Sequence, residues 1–211
     1  MANVEYAVAG DAGSYGTRFL VGALENSPVR LLGAGEAQSA GWWKGRIADP
    51  QALVESLEGA IREAEKSAGV SVSAAVVGMG GPSIEGLSNR GLYEMGRPRE
   101  VDEEAMRYAV ERALRVSMPA DRMILQMSPQ DFVVDGRSEY WNPRGARGSR
   151  LESFVHLVTT SVQEHQCLLN AVHQAHLAVE ETIFAPFAAA YAAGGPEERT
   201  EGVAGVHSGA N

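Results

Sequence analysis

Apolar and polar positions alternate in three short runs at the start of the chain, which is the pattern of β-strands. The runs cover 4–10, 17–24 and 29–36, and turns rich in Asp, Gly, Ser, Asn and Pro separate them. Because both connections are short, the three strands are predicted to pair in sequence as an antiparallel meander.

The next segment carries its apolar residues at helical spacing. Asp49 suits the N-cap, Pro50 suits the first helical position, and Gly69 is predicted to end the helix. A further β-run covers 72–77, so this part of the chain predicts the order βββαβ. The apolar face of the helix consists of Leu53, Val54, Leu57, Ala60, Ile61 and Ala64.

Residues 83–160 carry a second pattern, β-helix-β-β, with its helix at 102–116. Two β-runs broken at Pro129 lead to a turn at Asp135-Gly136, an Arg-rich loop and an alternating strand. The segment is therefore predicted to be an inserted subdomain that interrupts a lobe made of 1–82 and 161–196.

The chain then returns to that lobe at Ser161, which forms a capping-box pattern with Glu164. The helix that starts there is predicted to reach about residue 175, with a strand at 179–184 and an Ala-rich helix from Pro186 to the glycines before Pro196. Residues 197–211 are predicted to be the truncated start of a second lobe, without fixed structure.

Composition excludes several classes of function. The 211 residues are 45% hydrophobic and 21% charged, and 18 basic against 27 acidic residues give a net charge of −9. Such a chain repels phosphate backbones and anionic lipids, so neither nucleic-acid binding nor a direct membrane anchor is expected. No apolar run approaches the ~20 residues of a membrane span, and a cytoplasmic location is expected. Cys167 stands alone and is predicted to be a buried, inert thiol.

The turn between the first two predicted strands is the best candidate for ligand chemistry. It contains Asp11, Gly13, Ser14, Tyr15 and Gly16, whose backbone N–H groups and hydroxyl suit phosphate oxygens. A plain β-hairpin explains the same residues. No catalytic triad is recognisable. His173 and His176 are one helical turn apart but have no further ligands in the sequence pattern, so no metal site is expected.

Several motifs in one order resemble the bacterial cell-division family FtsA. They are 124–136, Asn142-Pro143 and 150–159, with Lys44-Gly45, 77–84 and 88–91 upstream. The first group is similar to the FtsA subdomain named SHS2 or 1C. The resemblance implies a mixed α/β fold in which an actin-like, ribonuclease-H-like lobe carries the SHS2 insert. Pilus-assembly proteins that share the insert are the nearest alternative family.

The same resemblance implies an ATP site in which Asp11, Gly13 and Ser14 hold phosphates and the water shell of Mg²⁺, with Tyr15 and Gly16 completing the turn. Two departures argue against a competent site: many FtsA sequences have a basic residue at the place of Gly16 and an acidic one at that of His207. We also expect the opposite wall of the cleft to be absent, so ATP should bind weakly and should not be hydrolysed. An ATP-binding phosphotransferase or ATPase of the same superfamily is the alternative function.

Partner binding is expected at the Arg-rich segment 137–150, which holds four arginines and two aromatic residues. Arg, Tyr and Trp are enriched at the energetic centres of interfaces, although an ordinary solvated loop fits as well. The resemblance implies self-association and contacts with other division proteins through the insert, and binding of FtsZ in full-length relatives at a site that we expect to be absent here. The candidate interface residues are Tyr140, Trp141, Arg144 and Arg147.

Overall fold

The computed structural model describes residues 5–25, 29–195, 202 and 204–207, with only the backbone described at Ser138. The chain divides into two compact units. The first comprises Met1–Ser83 and Val162–Asn211, and the second is Ile84–Ser161. Residue 4, the turn at 26–28, Pro196 and most of the tail at 197–211 belong to the sequence predictions but lie outside the described residues.

The described residues form eleven strands and four helices, which confirms a mixed α/β fold. In chain order they are β1 Tyr6–Ala12, β2 Gly16–Ala23, β3 Arg30–Gln38, β4 Trp42–Trp43, β5 Arg46–Ile47, α1 Pro50–Ala68, β6 Ala74–Met79, β7 Glu85–Glu100, α2 Glu103–Ala113, β8 Arg122–Val134, β9 Ser138–Tyr140, β10 Arg147–Ser161, α3 Val162–Gln174, β11 Ala178–Phe184 and α4 Ala185–Ala193.

The first unit contains a five-stranded sheet in the order β11-β6-β1-β2-β3. Strands β1, β2 and β3 pair antiparallel, as the predicted meander requires, whereas β6 and β11 run parallel to β1. The sequence prediction missed the small β4–β5 hairpin. Its two-residue strands turn through Lys44 and Gly45, both at positive φ, and are too short to show alternation.

Helix α1 begins and ends where its sequence predicts. The Asp49 carboxylate accepts hydrogen bonds from Gln51 N and Ala52 N at 3.1 and 3.2 Å. At the other end Gly69 adopts φ 71° and donates its N–H to Glu65 O at 2.8 Å. The predicted apolar face is buried.

The backbone of helix α1 lies in contact with the sheet. A Cβ atom added to Gly35 of β3 would lie within 3.0 Å of backbone atoms of Ala60 and Ala64. A Cβ atom added to Gly33, two residues earlier, would likewise lie within 3.0 Å of backbone atoms of Ala68. Helix and strand can approach this closely only because the residues between them have little or no side chain.

The second unit is a four-stranded sheet in the order β7-β10-β8-β9, packed against α2. The predicted β-helix-β-β order is present with the short strand β9 added between β8 and β10, and α2 ends at Ala113 rather than Val116. Asp102 caps the helix by accepting a hydrogen bond from Ala105 N at 2.7 Å. The buried core around it consists of Val101, Ala105, Ala109, Phe132, Val134 and Leu151.

The second unit repeats the close approach of the first. A Cβ atom on Gly91 of β7 would lie within 3.0 Å of the Ala109 and Ala113 backbone. In both units, therefore, a strand glycine lies under two helical alanines spaced four residues apart.

The Asp135-Gly136 turn joins β8 to β9 and is fastened to β10 by its acidic side chain. Asp135 Oδ1 accepts hydrogen bonds from Ser149 N at 3.0 Å, Ser149 Oγ at 3.1 Å and Arg150 N at 2.9 Å. These bonds, the one from Ser149 N above all, lower the pKa of the Asp135 carboxyl.

No helix within the described ranges is long and apolar enough to cross a membrane.

We expect Gly35→Ala and Gly91→Ala each to destabilise its unit by about 1–3 kcal/mol, since overpacking against backbone cannot be relieved by a rotamer change. Gly80→Ala is the matched control, because a Cβ there meets no atom within 4 Å and needs no positive φ. Urea unfolding measures all three variants. If Gly80→Ala costs as much as the other two, close packing is not the reason for these glycines.

We expect Asp135→Asn to reduce stability in a pH-dependent way. The folded-state pKa of Asp135 is depressed, so its stabilisation is present above the ordinary value of 3.8 and is lost as the pH falls through the lower folded value. The urea midpoints of wild type and variant should therefore differ most near neutral pH and converge in acid. Asp131→Asn, an exposed carboxylate on β8, is the control. If the difference in urea midpoint between wild type and Asp135→Asn stays constant with pH, the charge of Asp135 does not contribute to stability.

Candidate functional site

The turn between β1 and β2 is a tight hairpin with two unoccupied backbone donors. Gly13 N donates to Gly16 O at 3.2 Å, and Gly13 O accepts from Ser39 Oγ at 2.6 Å. Within the part of the chain that is described, no hydrogen bond engages the N–H groups of Ser14 and Tyr15. Gly13 is thus structural, and Ser14 and Tyr15 have donors available for an anion.

Asp11 stands at the base of this turn. The position of a Cβ on Gly13 lies 3.7 Å from Asp11 Oδ1, so the carboxylate lies beside the turn. Desolvation by the surrounding protein raises the pKa of Asp11, and the positive charges of Arg18 and His207 act in the opposite direction. The structure therefore brings His207 into the electrostatic range of Asp11, across 196 positions of sequence.

A basic side chain lies beside the turn although Gly16 itself is not basic. Arg18 is paired with Glu36 at 2.7 Å, and its guanidinium lies 5.8 Å from the centre of the Tyr15 ring. A Cβ at Gly16 would lie 3.3 Å from Glu36 Oε1 and 3.6 Å from Arg18 Nη2. A side chain at position 16 would therefore begin next to the Arg18–Glu36 ion pair.

Buried hydroxyls anchor the hairpin from below. Ser56 Oγ of α1 lies 2.8 Å from Thr17 Oγ1 and 2.9 Å from Gln38 O. Thr17 is fully buried and immediately follows the turn. Together with the bond from Ser39, this network joins the hairpin to β3 and to α1, so the turn has a defined shape before any ligand arrives.

These contacts give the hairpin the chemistry of a small anion site. Two N–H groups, the Ser14 hydroxyl and a nearby guanidinium can face phosphate oxygens, while Asp11 can orient water around a cation. Arg18 and Ser39 were not predicted from the sequence. Strand alternation places residue 18 on the same side as residue 16, which was a usable signal for Arg18. Ser39, which follows β3, reaches Gly13 only because β3 pairs with β2, and no local sequence pattern shows that contact.

The histidines do not form a metal centre in the described residues, where no group of three or more metal-ligating side chains comes together. His173 and His176 are exposed at the end of α3, and His176 adopts φ 62°. His165 instead lies 2.9 Å from Thr182 Oγ1, and burial lowers its pKa.

The predicted Arg-rich loop is shorter than its sequence suggested. Segment 137–150 was expected to be one loop, but β9 covers Ser138–Tyr140 and β10 begins at Arg147, so the connection is 141–146. The β9 strand escaped prediction because three residues cannot show alternation; it pairs with β8 at 132–134.

The four candidate interface residues have different surroundings. The Trp141 side chain is 79% exposed, whereas Tyr140 packs partly against the core of the second unit. Arg144 forms an ion pair with Glu103 at 2.7 Å. Arg147 is exposed at the first position of β10, opposite Glu100. Only Trp141 and Arg144 therefore lie in the loop itself.

The loop is held at its carboxyl end, whereas Trp141 at its start is exposed. Gly145 N donates to Val101 O at 3.0 Å, and Val101 N donates to Ala146 O at 2.8 Å. Arg144 N donates to Asn142 Oδ1 at 3.1 Å. Trp141 is thus displayed on a connection whose backbone is tied to the start of α2.

Comparison with known sequences places these features in a family. Residues 81–159 match the family described as the SHS2 domain inserted in FtsA. Over 179 residues the chain is 35% identical to the cell division protein FtsA of Borreliella burgdorferi, covering 84% of this chain and 43% of that protein. Over 205 residues it is 32% identical to FtsA of Bacillus subtilis, covering 97% and 47%.

A solved structure shares the fold. The PilM-PilN type IV pilus biogenesis complex superposes with a TM-score of 0.56 at 15% identity, covering 88% of this chain and 49% of that chain. The predicted ribonuclease-H-like lobe with an SHS2 insert is therefore confirmed. The chain spans a little under half the length of the curated relatives that it matches. The chain thus carries an SHS2 domain of the FtsA type at 81–159 and is similar to FtsA cell division proteins over nearly its whole length.

Proposed function

We propose that this chain acts as a noncatalytic scaffold of bacterial cell division, on the cytoplasmic side, through protein contacts made by its SHS2 domain. Its relatives are named cell division proteins, which supports the process. The exposed Trp141 on a tethered loop is the observation that supports the mode of action.

A tethered loop with an exposed tryptophan suits an interface for energetic reasons. Trp and Arg are enriched among residues that dominate binding energy. Because hydrogen bonds to Val101 already order the loop at Gly145 and Ala146, binding costs less conformational entropy than it would for a free loop. Arg144, at 67% side-chain exposure, remains accessible even while it pairs with Glu103.

Nucleotide binding is a secondary and weak property in this proposal. The β1–β2 hairpin supplies a few hydrogen bonds to charged phosphate oxygens, worth about 1.5–3 kcal/mol each. Much of that sum is consumed by the roughly 4–15 kcal/mol of translational and rotational freedom that a ligand loses, so the net affinity is weak. We propose no role in hydrolysis, in keeping with the weak nucleotide binding expected at this hairpin.

Trp141→Ala is expected to weaken self-association, or the capture of purified division proteins, at least tenfold, and Arg144→Ala to add to the loss. Neither change should lower the melting temperature by more than a few degrees, since both side chains are exposed. Sedimentation equilibrium measures self-association, pull-down measures capture and circular dichroism follows melting.

Trp43→Ala is the matched control, since Trp43 is also strongly exposed, at 67%, but lies in the first unit. It should leave association unchanged. Equal losses for the two tryptophan variants would mean nonspecific stickiness, and unchanged association for Trp141→Ala would refute the loop as the interface.

Calorimetric titration with Mg-ATP tests the nucleotide site. We expect a dissociation constant weaker than about 10 μM, equivalent to less than roughly 7 kcal/mol of binding free energy. Titration of the Asp11→Asn variant shows whether any measured heat comes from binding at the hairpin. Tighter binding that Asp11→Asn abolishes, or phosphate release by the wild type, would favour the ATPase alternative.

A further inference from the structure

Strand β7 forms one edge of the sheet in the second unit. It pairs with β10, and no described strand pairs with its other side. Open edges are usually blocked by bulges, prolines or charges. Here the bulge and the proline cover one end only: residues 95–98, with Gly96 at φ 80° and Pro98, all stand opposite the single residue Ser149. The regular part of the edge, 85–94, is left open.

A groove follows this open edge. It is an open depression of about 450 Å³ between β7 residues 90–94 and the end of α2, where Arg112 and Arg115 line it. The close contact at Gly91 creates this arrangement. Because α2 rests directly on Gly91, Arg112 in its last turn and Arg115 just beyond its end line the groove beside β7.

The groove is positively charged in a chain whose net charge is −9. Arg112 and Arg115 are exposed, and within the described ranges no carboxylate forms an ion pair with either. Arg90 also lines the groove and pairs with Glu152 at 3.1 Å. Glu94 is the acidic side chain in the lining.

We propose that the open edge of β7 docks an extended segment with acidic side chains, which adds to the sheet as a further strand beside residues 85–94. The backbone N–H and C=O groups of β7 supply the pairing, as in other cases of strand addition. Arg112 and Arg115 select carboxylates by bidentate hydrogen bonds. This surface lies outside the Trp141 loop, so the inference goes beyond the scaffold function proposed above.

Charge favours an acidic partner strand over a second copy of this edge. A second β7 would carry its own Arg112 and Arg115 into the interface, and like charges brought together oppose association. An acidic strand instead neutralises both arginines. A purely structural role is the competing explanation for Arg112, whose charge complements the C-terminal end of the α2 dipole.

The test uses the whole chain and a fluorescein-labelled ten-residue peptide in which Glu and Val alternate. Fluorescence anisotropy gives its dissociation constant, and hydrogen exchange shows where amides become protected. We expect wild type to bind with a constant below about 100 μM. Protection should appear at 85–94, and affinity should weaken as salt is raised.

The double variant Arg112→Glu with Arg115→Glu should weaken binding at least tenfold. Arg62→Glu with Lys66→Glu, two exposed positions on α1, makes the same change in net charge and should leave the affinity within twofold. Urea midpoints of both double variants report folding; a loss of binding without a loss of stability separates recognition from a structural role in α2.

The proposal would be overturned by no binding of wild type at millimolar peptide, by equal affinity for a Lys-Val peptide, or by protection outside β7. An unchanged affinity in the Arg112 and Arg115 variant would do the same. None of these results depends on Trp141, so this surface and the scaffold interface can fail independently.

Discussion

The short distance between a helix and its sheet is the constraint on which the packing of both units depends. Gly35 under α1 and Gly91 under α2 leave no room for even a methyl group. Large apolar side chains would hold helix and sheet further apart, so contact between backbones replaces part of the usual side-chain layer. The alanines of both helices follow from this constraint, because only small residues fit at such a separation.

The depth of α1 in turn determines the shape of the β1–β2 hairpin. Ser56 reaches both Thr17 and Gln38 with hydrogen-bonding distances below 3 Å, which a helix lying further from the sheet could not provide. The packing of α1 against the sheet therefore stabilises the shape of the hairpin. Asp11 is then held in partly desolvated surroundings, where the pKa of its carboxyl is raised despite two positive neighbours.

Much of this architecture is encoded locally and was therefore predictable. Asp49, Pro50 and Gly69 mark the ends of α1 because capping depends on residues adjacent in sequence. The β4–β5 hairpin and β9 were missed because strands of two or three residues carry no periodicity. Tyr140 was predicted to be at the surface, but its contacts with the core depend on the pairing of β9 with β8. Ser39 joins the site only through tertiary structure, which no short motif reports.

The insert leaves and rejoins the first unit on neighbouring strands. Thr159 of β10 stands opposite Glu85 of β7, and Arg122 bonds to both side chains, at 2.9 Å to Glu85 and 2.6 Å to Thr159. An unfolded connection of this length would oppose the pairing of β6 with β11 by its closure entropy. Once the insert has folded, its two ends stand side by side, and most of that entropic cost disappears. The insert is also completed before β11 when the chain is made from its amino terminus, so its folding prepares the closing step of the host sheet.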